Sequence, residues 1–188
     1  MISDRRSILA GLAMIATTPV AMAQAQKQTP AELTAAPMNF AEVKTAPDYF
    51  VRVLGPAEVS LSTSQIAIEK ATQRNAHEFA GFEFGEAIAV NMVLKDLGTQ
   101  SPAMNSKAMA TVERMKSSAK GAAFDRAYIA FQLDNHEYLR DLADAYLHNS
   151  AGASDAMEKQ GRLLASLMLA VFTEHVAICK RVNAELKA

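Results

Sequence analysis

The chain carries four histidines and a single cysteine, so metal or acid–base chemistry narrows to a few positions. A two-metal centre in a helical protein takes Glu-x-x-His pairs, because residues i and i+3 lie on one helix face and reach the same ion. Three residues before His77, His136, His148 and His175 stand Arg74, Leu133, Ala145 and Phe172, so that motif is absent. His136 and His175 each lie within a long apolar-periodic stretch, and two antiparallel helices would bring them together with Glu86, Glu83 or Asn91 opposite. Two imidazoles and a carboxylate suit zinc or a similar divalent ion. The metal set expected is His136, His175 and Glu86, and the same two histidines also read as core side chains satisfied by hydrogen bonds. His77 and His148 fall near helix ends among polar residues and are expected in solvent.

Other chemistries find little support. There is no G-x-S-x-G, no Gly-rich phosphate loop and no H-E-x-x-H, so the chain reads as a protein without a catalytic site. Met104, Met109 and Met115 suggest thioether ligation of copper(I), but they fall at core spacing without an M-x-M cluster and read as gap fillers. Cys179, flanked by Val176, Ala177 and Ile178, reads as a buried structural thiol. Asp125 and His136 are eleven residues apart, about 16 Å along a helix, and do not share an ion. Asp125 is instead expected to accept hydrogen bonds near a helix start, where negative charge also suits the dipole.

The element that must position these groups is Gly121 to Tyr146. Phe124, Tyr128, Phe131, Asn135, Tyr138, Leu142 and Ala145 recur at steps of four and three, one face of a helix of about seven turns, with Asp134, Glu137 and Asp141 opposite. Upstream, Pro47 to Val51 predicts a short helix interrupted by Gly55-Pro56, followed by a long one over Ala57 to Ala71. Asn75 then caps a helix over Ala76 to Leu97 with a core stripe of Phe79, Phe82, Ala89, Val90, Val93 and Leu97, and Gly98 ends it. Ser101-Pro102 opens a short helix. Ser154 or Asp155 caps the last one, whose leucines (Leu163, Leu164, Leu167, Leu169) predict a middle enclosed by neighbours. The fold expected is all-α, an antiparallel bundle of four long helices with an additional short one.

Half of the 188 residues are apolar and the formal charge is −1, which supplies a core and gives nucleic acid no basic field. Residues 1–23 have the three parts of a secretory signal: Arg5 and Arg6, an apolar run from Ile8 to Ala16 too short to span a bilayer, and Ala21-Met22-Ala23 before Gln24. The arginine pair also fits twin-arginine export. Removal of these residues leaves 17 basic and 19 acidic side chains in a periplasmic or secreted protein with no further membrane span. Residues 24–45, with Pro30, Pro37 and several glutamines, read as a flexible arm before a domain over 46–188. The sequence identifies no partner; its apolar last helix allows pairing with another copy, as a homo-oligomer, or with a different protein.

Gly121-Ala122-Ala123-Phe124-Asp125-Arg126-Ala127-Tyr128, with His136 eight residues on and Glu174-His175 in the last helix, resembles the exported bacterial family called domain of unknown function 4142. Ser64 to Ala71 and Phe79-Ala80 fit the first half of its pattern, and the resemblance covers about Pro47 to Val182. It implies a ferritin-like helical bundle, structural roles for Gly121, Phe124, Asp125 and Tyr128, and no assigned activity, consistent with a binding role in envelope maintenance or stress. Two departures bear on a metal site. Glu86-Ala87 stands where the family usually has Asp-His, and a glutamate of the family falls near Ser60, two residues from Glu58. No cofactor is expected, and a divalent metal is the one that these positions would allow.

Overall fold

A computed structural model describes residues 39–187; the expected signal over 1–23 and the arm as far as residue 38 lie outside the described residues. Among the described residues every regular element is helical. A 3-10 turn, Phe40–Glu42, precedes α1 (Ala46–Lys70), α2 (Arg74–Asp96), α3 (Ser106–Ser117), α4 (Ala122–Asn149) and α5 (Ala156–Glu185). The end of the expected flexible arm is docked: Val43 is buried, Phe40 stacks on Tyr138, and the Asn149 amide donates to the Phe40 and Val43 carbonyls.

Thr45 caps α1, accepting from the Asp48 amide, with Pro47 in the first turn, where a missing N–H is harmless. The helix then runs unbroken through Gly55-Pro56, where the sequence predicts an interruption. An interior proline removes one helix hydrogen bond and costs about 3 kcal/mol in an isolated helix. Here Phe50, Val53 and Leu54 before it and Val59 after it are all buried, each contributing about 1.5–3 kcal/mol, and packing outweighs the local preference.

The cap of α2 is Gln73, whose side chain accepts from the Ala76 amide; Asn75 instead donates to Glu185. The expected core stripe of this helix is rotated. Phe79 is buried, but Phe82 is 60% exposed and Ala89 and Val93 face outward, while Ala80, Glu83, Ala87, Asn91 and Leu94 face in. Gly98 follows with φ 85°, as a terminating glycine should. Ser101-Pro102 does not open α3; Asn105 caps it, and Met109 is exposed while Met115 is buried.

α4 buries a face broader than its expected seam, adding Ile129, Gln132, His136, Leu139 and Tyr146. α5, capped by Asp155, is not enclosed in its middle: Leu163 and Leu167 are 75% and 63% exposed. By length and composition alone α5 also passes for a membrane-crossing helix, with a window of mean hydropathy 1.6 that is only 33% buried.

Helix directions follow from side-chain pairs. Ser60 and Ser64 of α1 meet Gln132 and Tyr128 of α4, Tyr146 and Glu137 of α4 meet Glu158 and Lys180 of α5, and Asn75 and Glu83 of α2 meet Glu185 and His175 of α5. Each of these pairings is antiparallel. α1 and α5 therefore run one way and α2 and α4 the other, with α3 in the connection between α2 and α4 and packed on α1.

One end of this arrangement is tied by Glu158, which is 8% exposed and accepts from the Ala46 amide (2.7 Å) and the Tyr146 hydroxyl (2.8 Å). Tyr49 stacks on Tyr146 at 4.7 Å. The backbone approach requires Gly161, where a Cβ would lie 2.6 Å from both Ala46 Cβ and Tyr146 Oη. Gly161→Ala is expected to lower stability by about 1–3 kcal/mol through overpacking, read as a lower urea midpoint at unchanged slope; an unchanged midpoint would show that the α1–α5 contact yields freely.

Candidate metal centre

The inward face of α2 places Glu83 in the apolar interior at 4% exposure. A buried carboxylate stays ionised only with charged or hydrogen-bonded partners, and three helices supply them. From α1, the Ser60 hydroxyl donates to Glu83 Oε1 and lies 3.0 Å from Gln132 Oε1; its one hydrogen serves one of these acceptors at a time. Gln132 in turn donates to Ser64 Oγ (3.0 Å), which meets the Tyr128 hydroxyl at 2.9 Å.

The other oxygen, Glu83 Oε2, faces two imidazoles. It lies 3.1 Å from His136 Nε2 and 3.0 Å from His175 Nδ1, and those two nitrogens are 3.1 Å apart. The far nitrogen of each ring is engaged outward: His136 Nδ1 meets the Gln132 carbonyl at 2.8 Å, and His175 Nε2 meets Glu86 Oε2 at 2.8 Å. Carbonyl and carboxylate oxygens only accept, so both outer nitrogens are N–H donors. In a neutral imidazole the inner nitrogen is then a bare lone pair. Three lone-pair atoms thus converge on one point, and something positive must sit among them, a proton or a metal ion.

The spacing suits either occupant. Donors about 2.0–2.2 Å from a divalent ion lie about 2.8–3.1 Å apart in octahedral and about 3.3–3.6 Å apart in tetrahedral geometry, so these three edges match octahedral sites and fall a few tenths of an ångström short of tetrahedral ones. Outward N–H donation is also how metal-bound histidines are commonly oriented. Phe79 presses edge-on against both rings, at 5.2 Å from His175 and 6.1 Å from His136, and Phe172 lies 5.9 Å from His136. A cavity of about 30 Å³ adjoins the triad, lined by Ala87, Val90, Leu139 and Phe172 among others, large enough for a water-sized ligand.

His136 and His175 therefore meet as expected, but the carboxylate between them is Glu83. Glu86, expected as the metal ligand, sits one turn on, half-exposed, and holds the outer nitrogen of His175. Asn91 bonds the Ala87 carbonyl within its own helix. Glu58 points away from the centre to Lys95 (2.9 Å), whereas Ser60, two residues on, belongs to it. The sequence marked Ser60 only as the place of a family glutamate, not as a partner of Glu83, and assigned no role to Gln132; the available signal was a run of small polar residues, Ser60, Thr63 and Ser64, at helical spacing on the inner face of α1.

The other motif residues hold the frame. Gly121 precedes α4 at φ 127°, a conformation that favours glycine. Phe124 stacks on Tyr128 with planes 8° apart. Asp125, 1% exposed, accepts from the Thr72 amide and hydroxyl and the Gln73 amide at 2.7–2.9 Å, fastening the α1–α2 turn to α4. Burial holds the Cys179 thiol protonated, well above its usual range, and His77 and His148 are exposed.

Without a metal, protons fill the triad and leave a pH signature. Burial works against charge on His175, but the Glu83 and Glu86 carboxylates outweigh it and raise its pKa from 6.5 to about 9. That contribution to stability is complete below 6.5 and is lost as pH rises through about 9. Burial likewise opposes ionised Glu83, yet His136 and His175 hold it well below its ordinary 4.5, so its contribution is present above 4.5 and lost as pH falls from there. The metal-free protein is expected to be most stable at about pH 5–6.5, and His175→Gln to flatten the alkaline limb in thermal melts; an alkaline limb unchanged in the variant would contradict the assignment.

No protein-family model, no curated protein and no solved structure matches this chain.

Proposed function

We propose that the chain is an exported, ferritin-like four-helix bundle that binds one divalent transition-metal ion through Glu83, His136 and His175. The observation that carries this reading is the convergence of Glu83 Oε2, His136 Nε2 and His175 Nδ1 within 3.0–3.1 Å, with both outer ring nitrogens engaged elsewhere. Two imidazoles and a carboxylate suit zinc, iron(II) or manganese, and the absence of sulfur from the triad disfavours copper(I). Helix directions support the bundle topology, because one long connection, here holding α3, distinguishes ferritin-like folds from simple up-and-down bundles. The likeness to domain of unknown function 4142 supports the same fold and an extracytoplasmic location for the mature chain.

In this reading the protein is a binding protein. Glu83 and the two imidazoles hold the ion, Ser60 fixes the second oxygen of Glu83, and Gln132 and Glu86 fix the ring tautomers. The ion would supply Lewis acidity and, for iron or manganese, a redox couple. Elemental analysis of protein purified without chelator is expected to give about one ion per chain. Glu83→Gln and His175→Gln are expected to lose it, while a saturating ion, at about a hundredfold its Kd, adds about 2.7 kcal/mol of stability to the parent protein. A parent protein that holds almost no metal and whose melting temperature ignores added zinc, iron(II) and manganese would overturn the proposal.

A further inference from the structure

The outward-facing apolar residues of α2 do not face open water alone. Ala89 and Val93, with Val90, form one wall of a groove of about 250 Å³ whose other wall is Leu164, Leu167, Met168, Val171 and Phe172 of α5. α2 and α5 are joined by Glu83 and Glu86 to His175 and by Asn75 to Glu185, and the groove lies on the other side of His175 from the Asn75 contact, between residues 86–93 and 164–172. Its lining has a single charged residue, Glu86, at the end nearest His175.

That end leads to the metal centre. Glu86, Val90, Val171 and Phe172 line both the groove and the small cavity beside Glu83, His136 and His175. A molecule lying in the groove therefore has an aliphatic channel along most of its length and, at one end, a small polar chamber beside three metal donors. Three protein donors leave a divalent ion with open positions, and the chamber is the space into which those positions can extend.

We infer that the α2–α5 groove is a binding site for a small amphipathic carboxylate, its aliphatic chain against Val93, Leu167 and Met168 and its head directed past Glu86 to the ion. This rests on the proposed metal site, since without an ion the chamber offers an anionic head no open coordination position and sets Glu83 and Glu86 beside the two imidazoles. The walls favour an apolar chain, because Glu86 is the one polar side chain that lines them. Leu167, 63% exposed, and Val93, 36% exposed, stand at the rim and can be changed without opening the core.

Cobalt(II)-loaded protein tests this, with Nile red as a reporter of the groove and decanoate as the ligand. Decanoate is expected to displace the dye and to shift the cobalt d–d bands in one saturable titration. Val93→Asp and Leu167→Asp are expected to weaken both effects at least about tenfold, by placing charge on an apolar wall, while cobalt still binds. Decanoate that displaces the dye without moving the cobalt bands would overturn the inference, as would a concentration-dependent dimer that excludes dye and decanoate alike. Cobalt that fails to bind at all would remove the metal site itself, a failure visible in the spectrum before any decanoate is added.

Discussion

The rest of the structure is arranged around one buried carboxylate. Glu83 lies in the interior of a helical protein, where an unpaired charge would be prohibitively costly. Its position on α2 determines what the neighbouring helices must present at the same level: a hydroxyl from α1, an imidazole from α4 and an imidazole from α5. Register between these helices is therefore set by polar contacts as well as by packing. A slip of one residue in α4 would replace His136 by Asn135 or Glu137 and leave the carboxylate facing the wrong group.

The apolar core among the described residues accordingly has two main parts, one on each side of the polar layer, and a smaller cluster of Val59, Ala108 and Val112 between α1 and α3. Tyr49, Leu54, Leu142 and Tyr146 cluster at one end, closed by Glu158 and the close approach at Gly161. Phe79, Phe124, Tyr128 and Ile129 cluster at the other, closed by Asp125 over the α1–α2 turn. Hydrophobic burial at both ends offsets the desolvation of the middle. This division also explains why buried acidic groups recur at three levels of one small chain: each of Glu158, Glu83 and Asp125 joins different helices through donors that only an anion or a strong acceptor satisfies.

The periodicity of Gly121–Tyr146 made α4 legible, and with it the all-helical class and the meeting of His136 with His175. What was not legible has a common physical origin. On α2 the apolar residues Phe82, Ala89 and Val93 gave the stronger hydrophobic stripe, yet Phe82 is exposed and Ala89 and Val93 line a groove, while the face carrying Glu83 and Asn91 is the one inside; hydrophobicity reports burial only when polar residues have no partners waiting in the core. The choice between Glu83 and Glu86 turned on less than one helical turn of rotation, which an average period does not resolve. At Gly55-Pro56 local preference was overruled by burial on both sides, and on α5 Leu163 and Leu167 are exposed because only one face of that helix has neighbours.

The central claim is that the inner nitrogens of His136 and His175 are lone pairs aimed at a cation. Nitrogen NMR of the imidazole side chains, recorded on metal-free protein and again after one equivalent of zinc, tests it most directly. The account requires that zinc leave both rings singly protonated, at His136 Nδ1 and His175 Nε2, with both inner nitrogens moved to metal-bound shifts. Rings that keep the same protonation and the same shifts in the presence of zinc would contradict it and leave the triad as a proton-filled hydrogen-bond network of the core.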